Sequence, residues 1–456
     1  MTNEKMMREA PVWKLLCGMS LPVIVVMLLQ VLYNMADVFF MGRTGATMQV
    51  AAISLAGPVF TVIAAFNTLL GFGGCTAISV ALGRGESRKV RQYSAFVLYG
   101  GLLAGLVIGA AILAGLKPLL GLLGANAETE AFTADYLRVL ALGAPFSIAG
   151  GALGNSIRAD GDSKGALLAS MLGIFVNMAL DPLFISVFGW GIRGAAIATV
   201  AGNTLSFAAL LIVSYRKKIF SVSVRDLTLR PEISIKVLSC GLPMAAGTLL
   251  TSFVGVFGNR LMVNYGNLAV AAQNVAGKAG MITSMVIMGI CMGIQPAVSY
   301  NHGAGNARRV RRIVFGVGGF SVLLGAALSV VLYLARQQMI GLFISDPQVT
   351  ELALRMMPAS LLGAPLYGVY QMASVYLQGT EKVSRATLTS LLRQGLVLVP
   401  VMFLMNGLFG LTGLIYAGPV ADLIATALAV ILCVAGFRGE RRLGYGASGL
   451  AKIAAE

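Results

Sequence analysis

From residue 16 to residue 435, long apolar stretches alternate with short polar connections. Each stretch holds 20 or more mostly apolar residues, about what a helix rising 1.5 Å per residue needs to cross a hydrocarbon layer of about 30 Å. The runs are continuous and show no period of two. That favours helices, which satisfy their own backbone in lipid, over the short alternating strands of a barrel. The pattern predicts twelve spans, near 16–41, 50–78, 94–116, 136–157, 165–188, 193–215, 238–263, 270–298, 314–335, 355–377, 386–407 and 411–435.

The polar connections carry an orientation signal. Those after spans 2 (Arg84, Arg88, Lys89, Arg91), 6 (Arg216, Lys217, Lys218, Arg225, Arg230, Lys236) and 8 (Arg308, Arg309, Arg311, Arg312) are basic. The alternate ones are poor in Lys and Arg, and two carry acids (Glu128, Glu130; Asp346, Glu351). Cytoplasmic loops collect Lys and Arg, so both termini are expected in the cytoplasm and the chain in the cell membrane.

The two halves of the pattern match at a near-constant offset. Leu21-Pro22 returns as Leu242-Pro243, and Gly45 as Gly266. Ala51-Ala52 returns as Ala271-Ala272, and Gly143-Ala144-Pro145 as Gly363-Ala364-Pro365. Gly83-x-Gly85-x-x-Arg88-x-Val90-Arg91 returns as Gly303-x-Gly305-x-x-Arg308-x-Val310-Arg311. Six spans per repeat is an even number, so both halves enter the membrane the same way round, as a parallel repeat. The fold expected is an all-α membrane protein of twelve transmembrane helices in two six-helix bundles. Residues 1–220 would form the first bundle, 221–237 a cytoplasmic linker, and 238–456 the second bundle with a short tail. Prolines recur within spans, several in matching places (Pro22/Pro243, Pro145/Pro365, Pro182/Pro400), where each frees a carbonyl and permits a bend.

Composition narrows the class. The 456 residues are 57% hydrophobic and only 11% charged, against about 25% charged in soluble domains. The net charge of +16 is explained by the loop bias and calls for no nucleic-acid partner. The five cysteines (Cys17, Cys75, Cys240, Cys291, Cys433) are dispersed and show neither disulfide nor metal spacing. The stretch before the first apolar run is polar and no small-residue cleavage site follows that run, so no signal peptide is expected. Gly83-x-Gly85 and Gly303-x-Gly305 lack the strand, helix and Lys-Ser/Thr of a phosphate loop and read as tight turns. There is no nucleotide-binding domain, nucleophile–base pair or metal cluster, so an enzyme is not expected.

An acid inside a span costs about 2.5–3.5 kcal/mol on insertion scales and marks a functional position by default. Three qualify: Asp37, Asp181 and Asp422. Gln30, Asn34 and Asp37 share one face of span 1, and Asn177 and Asp181 are one turn apart on span 5. Both aspartates lie past the midpoints of outward-running helices, and Thr199 on span 6 reaches a similar depth. Two carboxylates, an amide carbonyl and a hydroxyl suit Na⁺; the same carboxylates, buried together, would equally hold a proton. The competing reading, a neutralising ion pair, has only Arg138 available in the first half. In the second half Asp422 shares the spans with Arg260, Lys278 and Arg393, and there a structural ion pair is expected. His302, beside Gly303 in a loop, is outside any proton path. Met281, Met285, Met288 and Met292 follow helical spacing down span 8; such a stripe suits either packing or an adaptable drug surface. Tyr367, Tyr370 and Gln371 on span 10 are further cavity candidates.

With these residues assembled, the chain resembles the multidrug and toxic compound extrusion family over about residues 10–440. The resemblance rests on Leu21-Pro22, Asp37-x-x-x-x-Gly42-Arg43, Ala51-Ala52, Gly83-x-Gly85, Asn177-x-x-x-Asp181-Pro182 and the copies Leu242-Pro243 and Gly303-x-Gly305. It implies two bundles around a cavity opening alternately to each side. It also implies antiport of Na⁺ or H⁺ against amphipathic, often cationic drugs, with no cofactor beyond the coupling ion. The family's ion site carries over onto Asp37, Asn177, Asp181 and Thr199, with Gln30, Tyr33 and Asn34 beside it. Asn155 resembles a further polar position, but span 4 places it near the cytoplasmic end, at another depth. Spans 7 and 10 lack the acids that some members carry, which puts coupling in the first half. The partners expected are a small drug-like molecule, a monovalent cation or proton and the bilayer, for a monomeric chain. The alternative is a flippase for a lipid-linked anionic precursor, which would gather Arg260, Lys278 and Arg393 in one cavity.

Overall fold

The computed structural model describes residues 3–43, 47–217, 219–344 and 346–442; for residues 34–43, 47 and 439–442 it describes the backbone alone. The described residues are helical apart from short connections. A short helix, Asn3–Glu9, and an entry segment, Val12–Leu15 with a π-helical turn Leu16–Ser20, lead into α1, Leu21–Arg43. There follow α2 (Gly57–Gly83, after a helix Thr47–Leu55), α3 (Ser87–Ala114), α4 (Glu130–Arg158), α5 (Ser163–Asp181) and α6 (Gly191–Arg216). The second repeat gives α7 (Pro231–Val263), α8 (Asn267–Gly303), α9 (Ala307–Leu334) and α10 (Pro347–Gly379). Eleven runs among the described residues are long and apolar enough to cross a bilayer, the last being Val383–Arg438 with 56 residues. A straight helix of that length would span about 84 Å, more than twice a bilayer core. Gly410, at φ 57° and ψ −137°, breaks it in a conformation essentially reserved for glycine. The break yields α11 (383–409) and α12 (411–442), and with them the twelve expected spans.

The helices run past the expected spans at their basic ends. Arg88, Lys89 and Arg91 lie in the first turns of α3, and Arg308, Arg309, Arg311 and Arg312 in those of α9. Hydropathy marks the apolar part of a helix, whereas Lys and Arg extend it readily. The turns that precede them are the two glycine motifs: Gly85 and Gly305 stand at φ +72° and +71°. Asn306 caps α9, its Oδ1 accepting from the Arg309 amide over 3.1 Å.

Small residues bring the helices together. On α3, Gly101, Gly105 and Gly109 recur every fourth residue opposite Ala149, Pro145 and Ala141 of α4. A Cβ on Gly105 would fall 2.3 Å from the Pro145 Cα, and one on Gly109 would fall 2.4 Å from the Ala141 carbonyl oxygen. That carbonyl is the one whose helical donor Pro145 removes. Such small-xxx-small faces let backbones touch where lipid offers helices no hydrophobic drive to associate.

By packing, the chain divides into two compact units that are not its two halves. One comprises Val25–Thr248; the other comprises Met1–Ile24 with Leu249–Glu456. The linker expected at 221–237 falls inside the first of these, and α1 and α7 each change unit partway along. Close backbone approaches explain the division. A Cβ on Gly73 of α2 would lie 2.0 Å from the Val237 carbonyl oxygen, and one on Gly241 of α7 would lie 1.7 Å from that of Leu69. In the other unit, Gly293 of α8 is the repeat counterpart of Gly73. It lies against Ser20, whose hydroxyl donates to the Ile290 carbonyl over 2.9 Å.

The turn from α4 to α5 is fixed by charge. Lys217, just past α6, reaches Asp160 at 2.5 Å and Asp162 at 2.9 Å. Burial pushes the Asp160 carboxyl above its ordinary value, opposed by Lys217. Burial also acts upward on Asp162, but the Gly165 amide and Lys217 outweigh it and hold that carboxyl low. A carboxyl raised in the folded state contributes stability below its unfolded value of 3.8 and loses it as pH rises through the folded value. Lys217→Met deepens that loss, because it strands Asp160 without its cation. The variant is expected to be about 3 kcal/mol less stable at neutral pH. Thermal melts in detergent should show the gap between variant and wild type closing as the pH falls towards 4.

Candidate functional site

The turn between α5 and α6, with the two helices it joins, positions the polar residues of the first repeat. Asp162 caps α5, accepting from the Gly165 amide over 2.9 Å. At the far end, Asp181 is the last α-helical residue and Pro182 opens a π-helical turn, Pro182–Val187. Proline supplies no N–H to the Met178 carbonyl one turn back, and such widened turns cluster at functional positions. Phe184 and Phe188 gather on Trp190 at 5.1 and 5.3 Å between ring centroids. Gly189 and Gly191, at φ +67° and +53°, reverse the chain. Gln49 then receives the Ile192 amide over 2.9 Å.

The two helices cross where Gly173 meets Gly202. A Cβ on Gly173 would lie 2.5 Å from the Gly202 carbonyl oxygen, and one on Gly202 would lie 2.9 Å from the Asn177 Cβ. This contact sets Asn177 beside Thr199. The Asn177 Nδ2 donates to Thr199 Oγ1 over 3.5 Å, and the Tyr33 hydroxyl of α1 lies 3.3 Å from the same oxygen. Asp181, one turn beyond Asn177, is fully buried. The Asn177 Oδ1 is buried and has no hydrogen-bond partner among the described residues. A buried carbonyl oxygen without a donor is costly unless something positive meets it. Carbonyl, carboxylate and hydroxyl oxygens together form a hard donor set of the kind that holds an alkali cation or, through the carboxylate, a proton.

Of the other expected site residues, Gln30 is exposed, and the side chains of Asn34 and Asp37 lie outside the described residues. The α1 backbone is helical through both, which places Asp37 one turn beyond Tyr33. Asn155 stands apart: its amide donates to the Gly151 carbonyl over 2.9 Å, and it packs on Gly71 of α2. A second polar group was not legible from charge. Asn203 donates to the Ser147 hydroxyl over 2.9 Å, and Asn67 reaches the Ser147 carbonyl at 3.5 Å. The only signal for it was uncharged amides recurring inside apolar spans.

In the second repeat Arg393 of α11 donates through Nε to Asp422 Oδ1 of α12 over 2.8 Å. Arg260 and Lys278 are exposed and take no part in this pair. On α8, Met281 is exposed, Met285 and Met288 are half-buried and Met292 is buried. The stripe therefore turns from surface to core along the helix. Gln371 is buried and Tyr367 half-buried, the latter under the Arg393 guanidinium. Gln295 and Gln378, both buried, share a 3.2 Å hydrogen bond.

Comparison with known proteins agrees with this architecture. The family model described as MatE matches residues 22–183 and again 243–404, one match per repeat. The multidrug export protein MepA of Staphylococcus saprophyticus is 31% identical over 427 residues, 93% of this chain and 94% of that protein. MepA of Staphylococcus aureus is 31% identical over 432 residues, with the same coverage. Among solved structures, an outward-facing multidrug resistance MATE transporter superposes with a TM-score of 0.92 at 22% identity, covering 97% of this chain and 99% of that one. A transporter of the same superfamily from Pyrococcus furiosus, described as having a binding pocket of reversed polarity, superposes with a TM-score of 0.91 at 22% identity, again over 97% and 99%. A family match in each repeat and relatives aligned over nearly the whole length lead to one conclusion: this multi-pass membrane chain belongs to the multidrug and toxic compound extrusion (MatE) family.

Proposed function

We propose that the chain is an antiporter that exports amphipathic, cationic drug-like molecules in exchange for Na⁺ or H⁺. The observation that carries this reading is the fully buried Asp181, one turn from Asn177, with Thr199 and Tyr33 closing the group. In a span, a carboxylate is retained against its insertion cost when it handles charge. Asn177 Oδ1, Thr199 Oγ1 and the Asp181 carboxylate would hold the cation, with Asp37 completing the set from α1. The relatives named as multidrug export proteins support the substrate class. The chain acts as a monomeric transporter and not as an enzyme, with both termini in the cytoplasm and six spans per repeat. Cation binding from outside favours release of the drug and the inward-open state; loss of the cation inside lets drug enter and the bundles rock back. The flippase reading needs Arg260, Lys278 and Arg393 together, and the first two are exposed while the third is engaged by Asp422. Purified protein in proteoliposomes loaded with ethidium tests the proposal under a Na⁺ gradient and separately under a pH gradient. Efflux driven by one gradient supports it and names the ion; no dye movement under either overturns it.

A further inference from the structure

We propose that a groove between α2, α3 and the start of α7 is a binding site for an anionic phospholipid. One acyl chain fills the groove, and Arg225 and Arg230 of the segment joining α6 to α7 meet the phosphate. The site shares no residue with the Asp181 group and depends on no particular ion or drug.

The groove has a volume of about 280 Å³, and its walls include Phe66, Phe96, Tyr99, Leu103, Leu229 and Leu238. The apolar run of α3 begins near residue 94. Phe96–Leu103 therefore stand just inside the bilayer, at the basic end of the helix. The walls offer a ligand no polar group, because the Tyr99 hydroxyl donates to the Val222 carbonyl over 2.6 Å. Packed interiors leave few voids larger than a water molecule, so an open apolar groove of this size calls for an occupant. At this depth the bilayer supplies one, the hydrocarbon tail of a lipid.

The segment between α6 and α7 runs along the mouth and is fastened there. The Ser221 amide donates to the Ser94 hydroxyl over 3.0 Å. Asp226 accepts from the Arg91 Nε at 3.1 Å and from the Ser221 hydroxyl at 2.5 Å. The segment nevertheless exposes Val224 to 64% and Leu229 to 75%, each beside an arginine. Apolar and basic side chains together on one exposed stretch suit the headgroup layer of a membrane, where anionic lipids attract Lys and Arg. Arg225 and Arg230 bracket Leu227 and Leu229, both of which line the groove, and this brings cations to its mouth. Both arginines are exposed, and neither makes an ion pair among the described residues. Over residues 219–238 the acids are Asp226 and Glu232. Asp226 is taken by Arg91, which leaves Glu232, in the first turn of α7, against the two arginines.

The second repeat shows that the fold does not require the groove. The offset that relates Gly83-x-Gly85 to Gly303-x-Gly305 carries Phe96 and Tyr99 onto Gly316 and Gly319 of α9. There the entry segment lies on the helix instead: a Cβ on Gly316 would fall 3.3 Å from a Val12 methyl. The first repeat has two aromatic walls at the matching places and leaves the space between them open.

The test is titration of the purified full chain with palmitoyl-oleoyl phosphatidylglycerol, and separately with the phosphatidylcholine of the same chains. Native mass spectrometry counts the lipids retained. The first phosphatidylglycerol should bind about tenfold more tightly than phosphatidylcholine. R225Q/R230Q should abolish that preference, whereas R308Q/R312Q, which removes two exposed arginines at the start of α9, should leave it intact. Gly100 lines the groove, and its Cβ would meet only Leu70, at 3.9 Å. Gly100→Leu therefore fills the space without a backbone clash and should weaken binding of both lipids at least fivefold. Equal affinity of the wild type for the two lipids overturns the proposal, as does a preference lost equally in both double variants. If the groove held the transported cation instead, Gly100→Leu would lower ethidium affinity and leave phosphatidylglycerol binding unchanged, which also overturns it. Should Gly100→Leu fail to fold, the arginine variants and the comparison of headgroups decide the matter by themselves.

Discussion

Asp181→Asn is expected to reduce gradient-driven ethidium efflux to the leak of empty proteoliposomes while leaving the protein folded. Asparagine keeps the shape of the side chain and one carbonyl oxygen, so α5, its π turn and the Asn177–Thr199 contact have no steric reason to change. What disappears is the negative charge that makes the site attractive to a cation. Removing one member of a buried charge interaction costs about 2–5 kcal/mol, or roughly 30-fold to several thousand-fold in affinity. A coupling ion held that much more weakly no longer drives the exchange. Because Asp181 is fully buried, its neutral replacement also removes a desolvation cost, and the thermal melt in detergent should be unchanged or raised. Wild-type efflux rates in this variant, at equal reconstitution, would show that coupling resides elsewhere. A melt lowered by many degrees would show instead that Asp181 serves the fold.

The second large effect is on stability. Gly105→Ala should destabilise the protein by about 3 kcal/mol, at the upper end for overpacking, since the new methyl would fall 2.3 Å from the Pro145 Cα. Backbone cannot swing aside as a side chain can, so α3 and α4 must part along much of the Gly101–Gly109 face. The contrasting substitution is Gly319→Ala on α9, where a Cβ meets nothing within 4 Å. There alanine should stabilise by about 0.5–1 kcal/mol, because it loses less conformational freedom on folding than glycine. The same chemical change with opposite signs in two thermal melts would isolate helix contact from helix propensity. Two shifts of the same sign would refute the packing argument.

These expectations also mark where the amino-acid pattern was informative. Hydropathy located all twelve spans, because burial in lipid is a property of each segment by itself. It placed the basic residues in loops, yet many belong to first helical turns, since apolar runs end before helices do. Asn177 could be set beside Asp181 because residues four apart share a helical face, and Thr199 at their depth because α6 starts just after the short turn that ends α5. The pairing of Asp422 with Arg393, and not with Arg260 or Lys278, depends on which face of each helix turns inward. Charge alone could not rank those three. Asn67, Ser147 and Asn203 escaped notice because uncharged polar groups pay too little in lipid to stand out one by one. The division of the chain into units was hidden most deeply. Gly73, Gly241 and Gly293 look like other membrane glycines until the backbone each one touches is known.

That division has a consequence for synthesis. A ribosome that has just finished the first repeat has completed neither unit, because Val25–Thr248 still lacks the stretch of α7 that meets Gly73. The other unit waits longer. Its stretch Met1–Ile24 leaves the ribosome ahead of the first unit, and the remainder begins only at Leu249. At about 5–20 residues per second, the intervening chain takes roughly ten to forty-five seconds to make. For that interval the segment destined for Ile290 and Gly293 waits in the membrane without those two partners.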